Sequence, residues 1–263
     1  MTRMRGVTGS GRKGPRGVSI CGIGAVTGYG WGQKLTWDGI YHGHHAAQKL
    51  YGFQPLFDDD WGWICYIDEG GDPSDGPSRF SRALRYAARE AVGDAYSRGW
   101  RPRGVTGVLH GIVLGDVDQW RSFHHRQGLD TSRRDWVKLM PSTALTAVMR
   151  EFDFHGPVMS VTAMCATGNA ALLTAKLWIE AGIVDDVLVL NSDLSFSPEN
   201  ARGFVDLGVL VLDSPPTEAC LPFQQGSRGF GGGEAAVAMI VSSPHDGSYG
   251  NVLGGAMTHD GWH

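Results

Sequence analysis

One cysteine, Cys165, lies at the junction of a predicted strand and a predicted helix. Residues 158–162 (VMSVT) are apolar and rich in β-branched side chains, which predicts a short buried strand. From Ala166 to a stop at Gly182, strong helix formers such as Ala and Leu predict a helix. Cys165 is therefore expected at a helix N-terminus, where unpaired N–H groups and the helix dipole favour the nucleophilic thiolate.

The residues around this cysteine could support such chemistry. Thr162, Thr167 and Asn169 carry hydroxyl and amide groups, and Gly168 permits a close approach of the backbone. The predicted helix is apolar around most of its circumference, so we expect it to be largely buried. An inert core cysteine is the alternative, since cysteine in an apolar segment is commonly a core residue. The position at the junction favours the nucleophile.

Composition limits the classes of function. A chain of 263 residues suits one large domain or two small ones. Its formal net charge of −4 argues against a general nucleic-acid binder. The sequence has no CxxC pair, so neither a zinc site nor a disulfide framework is predicted, and the interpretation is a reducing, cytoplasmic location. The four cysteines are Cys21, Cys65, Cys165 and Cys220.

Two further features concern membranes and the start of the chain. No apolar run approaches the ~20 residues of a membrane span, so no span is predicted. Residues 1–17 are basic and lack the apolar core of a signal peptide. We expect them to form a disordered tail rich in glycine and arginine, followed by a domain over residues 18–263.

Two other motifs suggest a cofactor or a metal but do not have the required spacing. Gly22, Gly24 and Gly28 approach a dinucleotide-binding fingerprint, but the third glycine falls one position late. The histidines of residues 42–45 have no Cys, Asp or Glu at ligand spacing, so a solvated helix end is the interpretation. We predict neither a nicotinamide site nor a metal site here.

Strands and helices alternate along the rest of the chain. Residues 48–77 are expected to form an irregular surface excursion, and residues 78–99 form the clearest amphipathic helix. Arg82, Arg85 and Arg89 lie opposite its apolar stripe; a solvated face is the interpretation, and a docking surface for an acidic partner is the alternative. The alternation predicts a layered α/β fold with a mostly parallel central sheet, and the apolar helix after Cys165 suggests more than three layers.

Four motifs together resemble the N-terminal half of a β-ketoacyl-acyl carrier protein synthase, a condensing enzyme of the thiolase-like fold. In chain order they are GIGAVTGYG from Gly22, SRFSRALRYAAREAVGDA from Ser78, VTAMCATGNAA from Val161 and PFQQGSRGFGGGEAA from Pro222. The third resembles the family's nucleophile motif and places the active-site cysteine on Cys165. The fourth resembles a conserved loop of the family and adds Phe230 and Glu234 to the residues that support the site.

The resemblance implies a function in fatty acid or polyketide synthesis. The cysteine would accept an acyl group from the phosphopantetheine of an acyl carrier protein, so no cofactor of this chain is implied. Two histidines would then assist decarboxylation and condensation, but the family carries them in the second half of the fold. None of the ten histidines here matches them, and the chain's last residues resemble the strand before that half.

The resemblance also implies that groups of this chain lack the partners that the second half of the fold would supply. The lysine that would pair with Glu234 belongs to the second half, and an unpaired buried carboxylate costs on the order of a few kcal/mol, so we expect another group to cover it. The face that would contact the second half should expose a large apolar area.

Three hypotheses follow. The chain is half of a split condensing enzyme completed by a second ketosynthase-like chain, in a heterocomplex or a homodimer. Alternatively, it is an acyltransferase that loads Cys165 without condensation. The third hypothesis is a non-catalytic scaffold or chain-length partner subunit. The retained Cys, Thr, Gly and Glu favour the first hypothesis.

Overall fold

The computed structural model of the protein describes residues 17–126, 133–259 and 261. The predicted disordered tail lies outside the described residues except for Gly17. The strands are β1 (Val18–Thr27), β2 (Gly30–Trp31), β3 (Gln48–Tyr51), β4 (Trp61–Cys65), β5 (Thr106–Ile112), β6 (Val158–Val161), β7 (Asp186–Asp193), β8 (Gly232–Gly233), β9 (Ala235–Ser242) and β10 (Gly250–Val252). The α-helices are α1 (Gln33–Tyr41), α2 (Arg79–Ser97), α3 (Val117–His125), α4 (Arg133–Lys138), α5 (Pro141–Phe152), α6 (Thr167–Glu180), α7 (Pro198–Asp206) and α8 (Pro216–Ala219).

The main sheet has the strand order β10-β1-β9-β7-β5-β6, with β2 paired to β1. Strand β5 is parallel to both β6 and β7. Strand β9 is antiparallel to β1 and to β7, and β10 is antiparallel to β1. The predicted central sheet is confirmed, but it is only partly parallel. Strand β9 enters between β1 and β7 and runs antiparallel to both, after a chain segment that contains α7, α8 and β8.

Helix α2 covers one face of this sheet, and its close approach explains the glycines of β1. A Cβ at Gly24 would lie 2.1 Å from the carbonyl oxygen of Ala87, and one at Gly22 would lie 2.3 Å from that of Ala91. Both glycines are therefore needed so that the backbones of strand and helix can touch. Two of the three glycines of the near-fingerprint, Gly22 and Gly24, therefore serve packing within the core around Leu84.

Helix α6 covers the opposite face, where Ala171 and Ala175 contact Leu109 of β5 and Val189 of β7. Its outer face is open, and Leu177 is 49% exposed. The expectation of a largely buried helix therefore holds only in part, because five of the helix residues are buried and the others are partly or fully exposed. The buried residues are Thr167, Ala170, Ala171, Ala175 and Lys176. In the described residues the sheet has one helical layer on each face, so the expected additional layers are not present in that part of the chain.

Strand β6 forms an edge of the sheet, with β5 as its neighbour. Its side chains are mostly exposed, including Val158 at 40% and Met159 at 39%. The prediction of a buried strand at residues 158–162 is wrong in burial, although the strand itself is confirmed. An apolar run indicates a strand but does not show whether a neighbour covers both sides of it.

Residues 48–77 are more regular than expected. Strands β3 and β4 pair antiparallel, and β4 pairs in parallel with β8, so Cys65 lies opposite Gly233. Phe53 and Ile64 are buried under this small sheet in a separate core cluster. The segment that resembled a surface excursion thus holds the glycines of β8 in place.

The arginine face of α2 is paired within the chain. Arg89 donates hydrogen bonds to both carboxylate oxygens of Asp75, at 2.5 and 2.6 Å, and Arg85 donates to Glu151 at 2.9 Å. Arg82 donates to Glu69 at 2.6 Å. The interpretation of a solvated face is therefore wrong, because carboxylates of neighbouring segments satisfy these charges.

Candidate active site

Cys165 lies in a one-turn 3₁₀ helix, Met164–Ala166, directly before the first residue of α6. Its side chain is exposed and its thiol is free. This contradicts the alternative of a buried core cysteine. The strand, the turn and the helix follow each other as the sequence predicts, so the thiol lies at the N-terminal end of α6.

The turn is held in a strained conformation. Met164, immediately before the cysteine, has φ of 47°, a left-handed backbone conformation that costs a non-glycine residue on the order of 1–3 kcal/mol. The Thr167 hydroxyl accepts a hydrogen bond from the N–H of Ala163 at 2.8 Å and donates one to the carbonyl of Met164 at 2.6 Å. Thr167 therefore closes the turn that presents Cys165.

We expect Thr167→Val to loosen this turn, since valine has a similar shape but makes neither hydrogen bond. The free energy of unfolding should fall by about 1–2 kcal/mol, because the N–H of Ala163 loses its partner. Because the turn presents Cys165, the rate at which iodoacetamide alkylates Cys165 should differ from the wild-type rate. Urea denaturation and intact mass measure the two effects.

Thr174→Val is the matched control, since Thr174 makes only a local bond to the carbonyl of Ala170 on the same helix. If both variants alkylate at the wild-type rate, Thr167 does not position the thiol.

Thr162 and Gly168 were also predicted to support the site, and the structure shows different contacts for each. The Thr162 hydroxyl donates to the carbonyl of Ile112 at 2.5 Å and ties the end of β6 to β5. A Cβ at Gly168 would meet only ordinary contacts, with Asn191 at 3.7 Å. The close approach occurs instead at Gly111, where a Cβ would lie 2.1 Å from Oδ1 of Asn191 and 2.9 Å from Cγ2 of Thr167. Sequence reasoning missed Gly111, because its partners come from distant segments.

Cys165 lines a cavity of about 280 Å³ together with Phe230 and the glycines that follow it. Phe230 is 46% exposed and makes an edge-on contact with Phe204, with ring centroids 5.9 Å apart. The remaining apolar residues of the wall are Val113, Leu114, Met164, Phe196 and Ala201. The sequence-predicted residues Cys165 and Phe230 are thus brought together, although 65 positions separate them.

Glu234 lies behind this cavity rather than in its wall. Its carboxylate accepts hydrogen bonds from the Arg79 guanidinium at 2.7 Å and from the N–H of Ile67 at 3.2 Å. Glu234 is 4% exposed and Arg79 is 5% exposed. Arg79 also donates to the carbonyl of Ile67 at 2.7 Å and stacks over the ring of Tyr66. The expected cover of this carboxylate is therefore Arg79, the first residue of α2.

The electrostatics of this pair follow from its burial. Burial raises the pKa of the Glu234 carboxyl, and the hydrogen bond and charge of Arg79 oppose that rise. Burial also works against the charged form of Arg79, but the hydrogen bond and charge of Glu234 outweigh it, so the pKa of Arg79 is raised. Residues Gly231–Gly233, which directly precede Glu234, line the cavity together with Cys165.

Other candidate features do not form a second site. Among the side chains that the structure describes, those of residues 17–126, 136–259 and 261, no three from His, Cys, Asp or Glu are placed to hold a metal ion. In the same part of the chain, no helix combines the length and the hydropathy that crossing a bilayer requires. His42 and His44 stack on each other at the exposed end of α1, with ring centroids 5.8 Å apart.

Comparison with known proteins identifies the class. Residues 75–246 match the sequence model described as the N-terminal domain of β-ketoacyl synthase. The match includes Arg79, Cys165 and Glu234, and the chain belongs to this family. The predicted resemblance is confirmed.

Individual relatives are more distant. The chain is 28% identical to nodulation protein E of Rhizobium sp. (strain N33), over 87% of this chain and 58% of that protein. It is 25% identical to 3-oxoacyl-[acyl-carrier-protein] synthase 2 of Staphylococcus aureus (strain COL), over 94% of this chain and 64% of that protein. The chain thus spans about six tenths of the length of these curated relatives.

Solved structures confirm the predicted thiolase-like α/β fold. A ketosynthase from Xenorhabdus doucetiae, solved in complex with its chain length factor, superposes with a TM-score of 0.69 at 20% sequence identity. The superposition covers 88% of this chain and 59% of that chain.

Proposed function

We propose that Cys165 accepts an acyl group from the phosphopantetheine arm of an acyl carrier protein, as the first step of condensation in fatty acid or polyketide synthesis. The Cys165 thiolate attacks the thioester carbonyl, a new thioester forms, and the pantetheine thiolate leaves. The observation that carries the proposal is the exposed thiol of Cys165 in a strained turn at the apolar cavity. Membership of the β-ketoacyl synthase family supports it.

We further propose that a second ketosynthase-like chain supplies the histidines for decarboxylative condensation. Support comes from the apolar side chains that α6 and the edge strand β6 leave exposed, since such surfaces mark protein interfaces. A homodimer through the same surface is the other assembly to test. Cys21, Cys65, Cys165 and Cys220 are all free thiols, which supports the proposed cytoplasmic location.

The first step is tested by mixing the protein with acyl-loaded carrier protein and measuring its intact mass. We expect a mass increase equal to the acyl group, lost in Cys165→Ser. Cys220→Ser is the matched control, because Cys220 is a partly exposed thiol outside the cavity wall and its loss should leave the adduct intact.

The other outcomes separate the hypotheses. No adduct with any acyl-loaded carrier protein contradicts acyl transfer and leaves the non-catalytic scaffold or chain-length subunit. An adduct without condensation when malonyl-loaded carrier protein is added supports loading alone. A condensation product formed by this chain without a partner contradicts the proposed source of the histidines.

A further inference from the structure

The cavity at Cys165 has one polar stretch of wall. It is lined by Asp193 at the end of β7, by Ser195 in the segment before α7 and by Asn200 in the first turn of α7. Ser195 is 8% exposed, and both its N–H and its hydroxyl donate to Oδ1 of Asp193. The amide Nδ2 of Asn200 donates to the carbonyl of Ser195 at 2.6 Å. These three residues therefore form one hydrogen-bonded group.

Two oxygen atoms of this hydrogen-bonded group accept no hydrogen bond within it. The hydrogen bonds of the group use Oδ1 of Asp193 and Nδ2 of Asn200, so Oδ2 of Asp193 and Oδ1 of Asn200 remain. Among the side chains that the structure describes, none forms an ion pair with the Asp193 carboxylate, and the arginines Arg121, Arg202 and Arg228 pair with Glu199, Asp206 and Asp213 instead. Both remaining atoms are oxygens, and carboxylate and amide oxygens accept hydrogen bonds. This polar stretch of wall therefore suits a ligand group that donates a hydrogen bond.

The charge of Asp193 adds a second requirement. Asp193 is exposed, and an anionic group brought beside its carboxylate is disfavoured by like-charge repulsion. A neutral hydroxyl that donates to a carboxylate makes a charge-assisted hydrogen bond instead, which is stronger than one between neutral groups. Room is sufficient, because about 280 Å³ at ~30 Å³ per water-sized group holds roughly nine such groups.

We propose that the cavity selects an acyl group that bears a hydroxyl donor near the thioester, and that Asp193 is the residue that determines this specificity. The inference rests on the proposed function, since the selected group would be the one carried on Cys165. Asp193 would bind the hydroxyl and repel acyl groups that end in a carboxylate.

The test uses three four-carbon pantetheine thioesters: butyryl, 3-hydroxybutyryl and succinyl. We expect 3-hydroxybutyryl to acylate Cys165 about two- to fivefold faster than butyryl, because a hydrogen bond to a charged but exposed group adds only a modest advantage. Succinyl should be the slowest. Asp193→Asn keeps an acceptor for Ser195 but removes the charge, so the penalty on succinyl should disappear.

Asp206→Asn is the control, since Asp206 lies on α7 and pairs with Arg202 outside the cavity. Equal rates for butyryl and 3-hydroxybutyryl overturn the inference, and so does an unchanged succinyl penalty in Asp193→Asn.

A binding measurement separates this inference from the proposed function. If none of the thioesters acylates the wild-type protein, the proposed function fails. Calorimetry with Cys165→Ala, which binds thioesters without reacting, then decides the inference. Tighter binding of 3-hydroxybutyryl-pantetheine than of butyryl-pantetheine upholds it, and equal or undetectable binding of both overturns it.

Discussion

Replacement of Arg79 by methionine is expected to lower the free energy of unfolding by about 3–5 kcal/mol. Methionine has a similar length but leaves the Glu234 carboxylate buried without a counter-charge, and breaking a buried ion pair on one side carries a cost of this size. The guanidinium now donates to Glu234 at 2.7 Å with both side chains almost completely buried. Urea denaturation at neutral pH, followed by circular dichroism, measures the change.

Two further variants identify the cause. The double variant Arg79→Met with Glu234→Met should recover most of the loss, since replacing both partners of a buried pair is commonly close to neutral. Arg82→Met should cost less than about 1 kcal/mol, because its partner Glu69 is 75% exposed and solvent screens the pair. A double variant that is as unstable as Arg79→Met alone would show that the unpaired charge of Glu234 does not cause the loss of stability.

The stability of the wild-type protein should fall by up to about 3 kcal/mol between pH 6.5 and pH 4 because of His110. This side chain is completely buried, and burial lowers its pKa to about 4. Its Nε2 forms a hydrogen bond with the Ser192 hydroxyl at 2.8 Å, and within the described part of the chain Nδ1 has no partner. The imidazole is therefore held neutral in the core.

The direction of this pH dependence follows from the protons that the folded and unfolded states bind at His110. The unfolded chain binds a proton at this residue near pH 6.5, whereas the folded chain binds it only near pH 4. Between these values the unfolded state holds more protons, so the free energy of unfolding rises with pH. The contribution is fully present above about pH 6.5 and is lost as the pH falls to about 4.

His110→Gln tests this contribution, since glutamine can still bond to Ser192 but does not titrate. The difference in the free energy of unfolding between wild type and variant should change with pH over this window and be constant above it. His155→Gln is the control, because His155 is an exposed histidine paired with Asp153. A wild-type–His110→Gln difference that does not vary with pH contradicts a neutral buried imidazole.

Elements with a strong local pattern could be predicted from the sequence. The helix predicted at residues 78–99 is found as α2 (Arg79–Ser97), with a capping box formed by Ser78 and Ser81. The helix after Cys165 is found as α6, beginning one residue after the predicted Ala166. Spacing of apolar residues and capping residues act over three or four positions, so the sequence displays them directly.

Only part of the candidate site could be predicted from local patterns in the sequence. Cys165 and its turn were predicted from a local motif, and Phe230 and Glu234 came from the family resemblance. Asp193, Asn200 and Gly111 were missed, because they reach the site from β7, α7 and β5 and carry no local signal. Arg79 was missed as the partner of Glu234 because 155 positions separate the two residues.

The sequence by itself determined the family, the strand–turn–helix around Cys165 and the amphipathic helix α2. Only the tertiary structure decided that β9 runs antiparallel between β1 and β7, that β6 is an exposed edge and that Arg79 neutralises Glu234. The physical reason is the range of the interactions. Helix and turn preferences depend on neighbours within one or two turns of chain, whereas strand order, burial and ion pairing depend on which distant segments meet.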